Sequence, residues 1–471
     1  MKKNLLPLAL LCGLAFSAQA QTNSKWTLQN TTGAATPPNF LSRQIQTVSE
    51  QVAWQLIQES VDGASTNLFT RTINGGSTWS FNAVTGAANY QAAGIHALDG
   101  NTAFVAQFGA AGGGEVVKTT NGGNSWTKST TISQFAAPAG FNNWVYFFDA
   151  NNGVCLGDPN GPGAAYFEIY TTSNGGNTWV RVPSSNTPAP LGPGEYGLVG
   201  SYFALGNTIW AGTTNLSNPS DQNSGIPTRI LKSTDRGLTW TASVQTTLVG
   251  SVSKIAFTDQ NNGIAFNAST TGGINLIGTT DGGATWTPRA YTGNFNCFDI
   301  DAVPGTNMLI SVGSSVLPVA TTADYGSSYS TNNGLTWIDI DRRNYYSSVD
   351  FISRTVGYAG ARTDANGVGG VYKANATILG NRNAELQKAL SVYPNPSASG
   401  VFNLQLATGI KAGTSVRVFD AVGRLVLSQT LNATAIASQL STVDLSKEKA
   451  GLYTLELRTE NGVAQQKLVI E

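Results

Sequence analysis

The chain has 471 residues, beyond what one small core organises, so several domains or one repeat architecture are expected. Only 11% of residues are charged, Gly numbers 53 and Trp 10, a profile of short strands and tight turns that excludes a disordered or long-helical chain. Lys plus Arg equals Asp plus Glu at 27 each, so there is no basic surplus for phosphates and nucleic acid is excluded as a partner.

The N-terminus reads as a secretory signal over residues 1–20. Lys2 and Lys3 form a positive start, 5–16 an apolar stretch, and Ala18-Gln19-Ala20 a small-x-small cleavage site. Leu11 stands before Cys12 where lipidation needs a small residue. No later apolar run reaches the ~20 residues of a membrane helix, so no integral membrane span is expected. The mature chain keeps Cys155 and Cys297. They fall in different repeats, which predicts two separate buried thiols.

Six segments share the pattern [Ser/Thr]-x-[Asp/Asn]-x-Gly-x-[Ser/Thr]-Trp. They are 72–79 (TINGGSTW), 119–126 (TTNGGNSW), 172–179 (TSNGGNTW), 233–240 (STDRGLTW), 279–286 (TTDGGATW) and 330–337 (STNNGLTW). The Trp-to-Trp spacings are 47, 53, 61, 46 and 51, a period that suits one four-stranded propeller blade. The motif is turn chemistry. Asp or Asn folds onto the backbone just ahead, the fixed Gly takes a positive φ, and Trp opens the outer strand with a large apolar face.

Further strands precede each motif. In the fifth repeat 252–258 is the inner strand, 259–263 (DQNNG) a turn, 264–267 the second strand and 274–279 the third. In the third repeat 144–148, the turn 149–153 (DANNG), 154–157 and 168–171 follow the same order. A seventh unit has strands at 348–352, 357–360 and 371–374 but no Trp-led strand. Residues 25–30 (KWTLQN) carry an unclaimed Trp26, and this N-terminal strand is expected to complete the last blade, which also protects a strand edge. The expected fold is all-β: a seven-bladed β-propeller over 21–378, a linker at 379–390, and a small Ig-like β-sandwich over 391–471.

The repeats resemble the Asp-boxes (BNR repeats) of sialidase-like propellers, and most of all single-ring propellers of the photosystem II assembly-factor type. That resemblance covers about residues 25–375 and implies architecture rather than activity. The C-terminal segment resembles the sorting domain of the Bacteroidetes type IX secretion system. The matching residues are Tyr393-Pro394-Asn395-Pro396, Val418-Phe419-Asp420 with Gly423-Arg424, Ala450-Gly451-Leu452-Tyr453, and Lys467-Leu468-Val469-Ile470. The resemblance implies passage through the periplasm and across the outer membrane. The type IX machinery and its sortase would be partners, and the product would be secreted or held at the cell surface.

Catalytic signatures are sparse. His96 is the one histidine and sits in GIHAL with no nucleophile motif near it, so it is read as structural. Two mature cysteines and one histidine exclude the usual zinc sites, and neither a metal nor a cofactor is implied. The Arg-Ile-Pro motif of sialidases is absent. A glycosidase would need two carboxylates at a set separation across a cleft, a pair that sequence spacing does not identify. The a–b and c–d turns are short and uniform, whereas the b–c and d–a connections (158–167, 184–197, 213–228, 313–326) vary in length. Long loops gathered on one face of a rigid scaffold are where recognition resides. The candidate binding residues there are Asp158, Tyr166, Glu195, Tyr196, Asp221, Asp324 and Tyr325. The favoured function is non-catalytic binding of an extracellular protein or glycan, with a carboxylate-pair glycoside hydrolase as the alternative.

Overall fold

The structure is a computed structural model that describes residues 25–29, 39–59, 65–86, 89–131, 134–136, 140–159, 166–192, 194–215, 226–269, 273–364, 369–375, 390–406, 410, 414–420, 424–459 and 462–471. The signal segment 1–20, Asp221, Gly423 and most of the expected linker lie outside the described residues.

The chain is all-β and propeller-like, built from small antiparallel sheets in sequence order. The strands of the first sheet are Phe40–Thr47, Ala53–Glu59, Ser65–Thr72 and Ser80–Ala83. The second uses Tyr90–Ala97, Ala103–Gly109, Gly114–Thr119 and Thr127–Lys128, and the third Asn142–Phe147, Gly153–Pro159, Phe167–Thr172 and Val180–Arg181. Next come Glu195–Leu205, Thr208–Asn215, Ile230–Ser233 and Thr241–Ala242, then Lys254–Phe257, Gly263–Ser269, Gly273–Thr279 and Thr287–Pro288. Asp299–Ala302, Leu309–Ser314, Tyr325–Ser330 and Thr336–Arg342 follow. The last of these sheets holds Tyr346–Ser353, Val356–Thr363 and Gly369–Ala374, and its outer strand is Trp26–Leu28 from the chain's start, with Trp26 opposite Ala374 and Leu28 opposite Tyr372. The first strand of each sheet packs beside that of the next, and Tyr346–Ser353 packs beside Phe40–Thr47, so the series closes on itself.

The sequence pattern follows from this stacking. A second strand such as Ala103–Gly109 is covered on both faces by neighbouring sheets and is buried almost throughout, so it reads as an apolar run rather than an alternating one. The apolar clusters lie between sheets: Trp54, Leu56 and Phe69 of one sheet meet Ile95, Val105, Val117 and Trp126 of the next. Outer strands are exposed and often two residues long, which leaves little edge for another chain to pair with.

The repeated turns show why each residue type is required. In the first, the Thr72 hydroxyl accepts from Gly76 N (2.9 Å) and donates to Asn74 Oδ1 (3.0 Å). Asn74 Oδ1 in turn accepts from Thr78 N at 2.9 Å. The same three bonds recur in each of the six turns, as in Thr279, Asp281, Gly283 and Thr285. Gly283 takes φ +87°, and a Cβ there would stand 3.2 Å from the Trp210 indole of the preceding sheet. The following Trp286 is buried, and its ring NH donates to Gly283 O.

After the last sheet, two further sheets share one core. Leu390–Tyr393, Val401–Leu406 and Leu440–Asp444 form one, and Leu425–Thr430, Ser415–Asp420, Gly451–Thr459 and Gly462–Ile470 the other. Phe402, Leu404, Val416, Val418, Val443, Leu455 and Leu468 fill the space between them. Leu390, expected in the linker, is buried in this core because it starts the first strand. A short helix, Ala433–Ser438, and the strand Leu440–Asp444 were not read from the sequence, because 433–438 has no apolar periodicity longer than one turn.

Candidate functional site

Among the described residues the first strands have no continuous backbone ladder on their inner side, where Leu41 opposite Arg362 is the one strand pairing, so most of the N–H and C=O groups there need other partners. Side chains one repeat away supply them. Gln44 accepts from Ile95 N (3.0 Å) and donates to Ile95 O (3.1 Å), and Gln46 brackets Ala97 in the same way. Arg43 Nε donates to Ala93 O at 3.0 Å. On the far side of the series, Asp299 accepts from Val349 N (3.0 Å), Asp301 from Phe351 N (2.7 Å), and Asp350 from Thr47 N (2.6 Å). The last bond spans the seam between the end and the beginning of the series.

These first strands enclose a central cavity of about 550 Å³. Its polar lining includes Arg43, Gln44, Gln46, His96, Tyr146, Tyr202, Lys254, Asp299, Asp301 and Asp350. Burial raises Asp350 to about 7 and Asp301 well above the carboxylate range, the nearby Asp350 charge adding to the latter. Burial lowers His96 to about 4, so its imidazole is neutral, packed edge-on to Tyr146 at 4.5 Å. Lys254 pairs with Asp299 at 3.1 Å.

A second cavity of about 410 Å³ shares Arg43, Gln58 and Lys254 with the first. It is lined by the starts of first strands (Leu41, Ser42, Ser347) and the ends of second strands (Gln58, Ala268). It is therefore the channel mouth on the face that carries the long connections. Phe298 and Tyr345 line it, and Tyr325 packs at a tilt against both. The ring centroids lie 4.5 Å (Tyr325–Tyr345), 5.5 Å (Phe298–Tyr345) and 6.2 Å (Phe298–Tyr325) apart. Gly313 makes room for this wall, since a Cβ there would stand 2.5 Å from Phe298. Burial pulls Arg43 down to about 10.

The predicted binding residues separate into distinct environments. Tyr325 packs against Tyr345 and Phe298, which line the mouth. Asp324 ends a short turn of 3₁₀ helix, where its Oδ2 accepts from Ala320 N and Thr321 N at 2.9 and 2.7 Å. Asp158 ends a second strand and accepts from Asn143 Nδ2 at 2.8 Å, with burial pushing its carboxyl up to about 7. Tyr166 lies under the Arg181 guanidinium, 4.4 Å from the ring centre, and Arg181 in turn pairs with Glu168. Tyr196 sits opposite Thr214 in a strand pair. Glu195 departs from the loop expectation. It begins the strand Glu195–Leu205, is 1% exposed, and holds Arg229 through both oxygens at 2.8 Å while accepting from Leu191 N. Its carboxylate is turned into the protein because Arg229 needs a buried counter-charge. The channel residues Asp299, Asp301, Asp350, Arg43 and Lys254 were missed. Their one trace in the sequence is alternation on inner strands, as in Asp299-Ile300-Asp301.

In the C-terminal domain the sorting blocks converge. Tyr393-Pro394 and Asn395-Pro396 are cis, and the Asn395 side chain donates to Lys467 O (2.6 Å) and accepts from Val469 N (2.9 Å) of the last strand. Tyr453 is buried and donates to Lys449 O just before Gly451, while Asp420 holds Arg424 through backbone and side chain. Residues 391–471 match the family described as the secretion system C-terminal sorting domain. The protein is therefore exported by type IX secretion, to the cell surface or beyond it. Among the described residues, no helix is long and apolar enough to cross a membrane.

None of the curated proteins matches the chain significantly. Among solved structures it is similar to YCF48 from Cyanidioschyzon merolae, at 17% identity over 72% of this chain and 97% of that one, with a TM-score of 0.47. It is similar to PorZ, a surface component of the type IX secretion system of Porphyromonas gingivalis, at 12% identity over 90% and 68%, TM-score 0.37. An ancestral GH74 enzyme is similar at 13% identity over 94% and 63%, TM-score 0.45. At such identities the likeness is one of fold alone.

Proposed function

We propose that the exported protein is a seven-bladed binding propeller, six of its blades carrying an Asp-box, followed by an Ig-like sorting sandwich, that takes a protein or glycan ligand at the long-loop face. The observation that carries this reading is the asymmetry of the two faces. The repeated turns on one face spend their polar side chains on their own backbone. The other face opens into a concave mouth with aromatic rings and cations, the combination expected of a ligand site on a rigid scaffold. Cleavage near residue 390 would leave the propeller as the working part. The test is an array of glycans and polymers probed with residues 21–390, followed by chromatography of any bound polymer. Retention without shortened products is the expected result.

A glycoside hydrolase is the second reading, favoured by one observation: Asp301 and Asp350 face the same cavity with raised pKa values, as a general acid requires. Each already accepts a backbone N–H across a sheet boundary, a structural use that accounts for its position. Released fragments that vanish in Asp350→Asn would replace the binding reading with this one.

A further inference from the structure

We propose that the propeller is built to open at one place, the seam between its last and first sheets, which parts one wall of the central channel while the other sheets stay packed.

The other boundaries between neighbouring sheets are closed by apolar packing. Among the described residues, each holds nine or more buried apolar side chains, such as Trp210, Ile255, Phe257, Ile277 and Trp286 where the fourth sheet meets the fifth. The seam holds five: Ile45, Ala53, Trp79, Tyr358 and Val371. One cross-strand pair shows why. Two residues before the repeated turn, the pair facing the preceding sheet is Val105 with Val117 in the second sheet and Ala265 with Ile277 in the fifth. In the first sheet it is Gln55 with Thr70, both buried. Gln55 donates to Gly370 O across the seam at 3.3 Å. Its Oε1, the Thr70 hydroxyl, the Tyr358 hydroxyl and the Trp79 ring NH are buried without a partner. The sixth sheet also has a polar pair, Ser311 with Ser328, but there the two hydroxyls meet at 2.8 Å and Asn296 bonds both.

What holds the seam is largely polar. Besides the bond from Thr47 N to Asp350, the Thr47 hydroxyl donates to Asp350 O at 2.8 Å and the Ser42 and Ser348 hydroxyls meet at 2.6 Å. Phe40 N donates to the Thr363 hydroxyl, and Lys373 Nζ to Gly75 O, each at 2.8 Å. Such bonds are exchanged for bonds to water when two sheets part, so their net hold is small, whereas buried apolar contact is lost outright. For the four unpartnered atoms parting is favourable, because each gains water. The weakest boundary is therefore also the one at which a local opening short of unfolding is expected. It runs along the channel: Gln46 and Thr47 on one side and Val349, Asp350 and Phe351 on the other line the same cavity. The chain passes from Trp26–Leu28 in the last sheet to Phe40–Thr47 in the first, so the two sides stay tied through the backbone and close again.

The experiment is alkylation with iodoacetamide under native conditions, on the chain from residue 21 onward, read by peptide mass spectrometry. Thr70→Cys places a thiol at the seam, and Val117→Cys places one at the equivalent position of the next boundary. Cys155, buried in the matching pair of the third sheet, is the reference inside both chains. The Thr70→Cys thiol is expected to react about tenfold or more faster than Cys155 and than the Val117→Cys thiol. Its rate is expected to rise little with urea below the unfolding transition, where that of Cys155 rises steeply, because a local opening exposes little surface. Should Thr70→Cys melt below the parent protein, Gln55→Cys reads the same boundary. Equal rates at the seam and at Cys155, or one urea dependence shared by both, overturn the proposal: the seam then opens only when the whole propeller unfolds.

Discussion

Asp350 joins the last first strand to the first one through a carboxylate that burial has pushed up to about 7. Its ordinary value is 3.8, so between pH 4 and pH 7 the folded protein keeps a proton that the unfolded chain releases. Stability from this group is therefore greatest below about pH 4, falls as pH rises through that window, and is fully lost above about pH 7. Asp350→Asn keeps an oxygen for Thr47 N and removes the titration. The variant is expected to gain on the parent protein as pH rises from 4 to 8, by on the order of a few kcal/mol at the upper end. Urea titrations at both pH values measure the difference. A difference independent of pH would show that Asp350 does not titrate at the seam. Little of this was legible in the sequence. Asp350 and Thr47 are 303 positions apart, and only closure of the series makes them neighbours. The repeated turns were legible, because their hydrogen bonds act within eight residues.

The strand Trp26–Leu28 is the shortest element with a large structural burden. Trp26 is 1% exposed, lies 5.5 Å from Tyr346 and 5.9 Å from Phe351, and donates to Ser327 Oγ at 2.9 Å. It thus touches the last two sheets at once. Trp26→Ala is expected to cost about 3–5 kcal/mol, the usual penalty for emptying a buried aromatic site. Chemical denaturation of the mature propeller reads the loss. A cost below about 1 kcal/mol would mean that the terminal strand is not needed for closure. The sequence indicated this element through a Trp left over from the repeat count. The strand Glu195–Leu205 shows the opposite case. Its polar start looked like a recognition loop, but the buried Arg229 recruits Glu195 inward.

At the scale of the whole molecule, the chain divides its work between export and the exported part. The core of the C-terminal sheets is made of residues between Leu390 and Ile470, so this domain can fold around its own apolar set. Its first block and its last strand are tied by Asn395. Truncation anywhere in the last strand therefore disturbs the opening block as well. Peptide mass spectrometry of the mature extracellular protein is expected to recover no peptide beyond about residue 390, the start of the sorting domain. Intact C-termini on the exported protein would show that the domain is retained. Cys155 and Cys297 are free and buried, which agrees with the two separate thiols expected from their repeats.

By itself the sequence determined the period, the turn chemistry, the strand order within each repeat, and the sorting domain. All of these depend on residues close together in the chain, or on short blocks in a fixed order. Tertiary structure decided which side chains line the channel, where the mouth lies, and which candidate residues face it. Of the predicted set, Tyr325 packs against Tyr345 of the mouth, while Glu195 is enclosed with Arg229. The physical reason is the same throughout. Inner-strand side chains find their partners one repeat away or across the closing seam, where a residue's surroundings are set by ring geometry rather than by its neighbours in the chain.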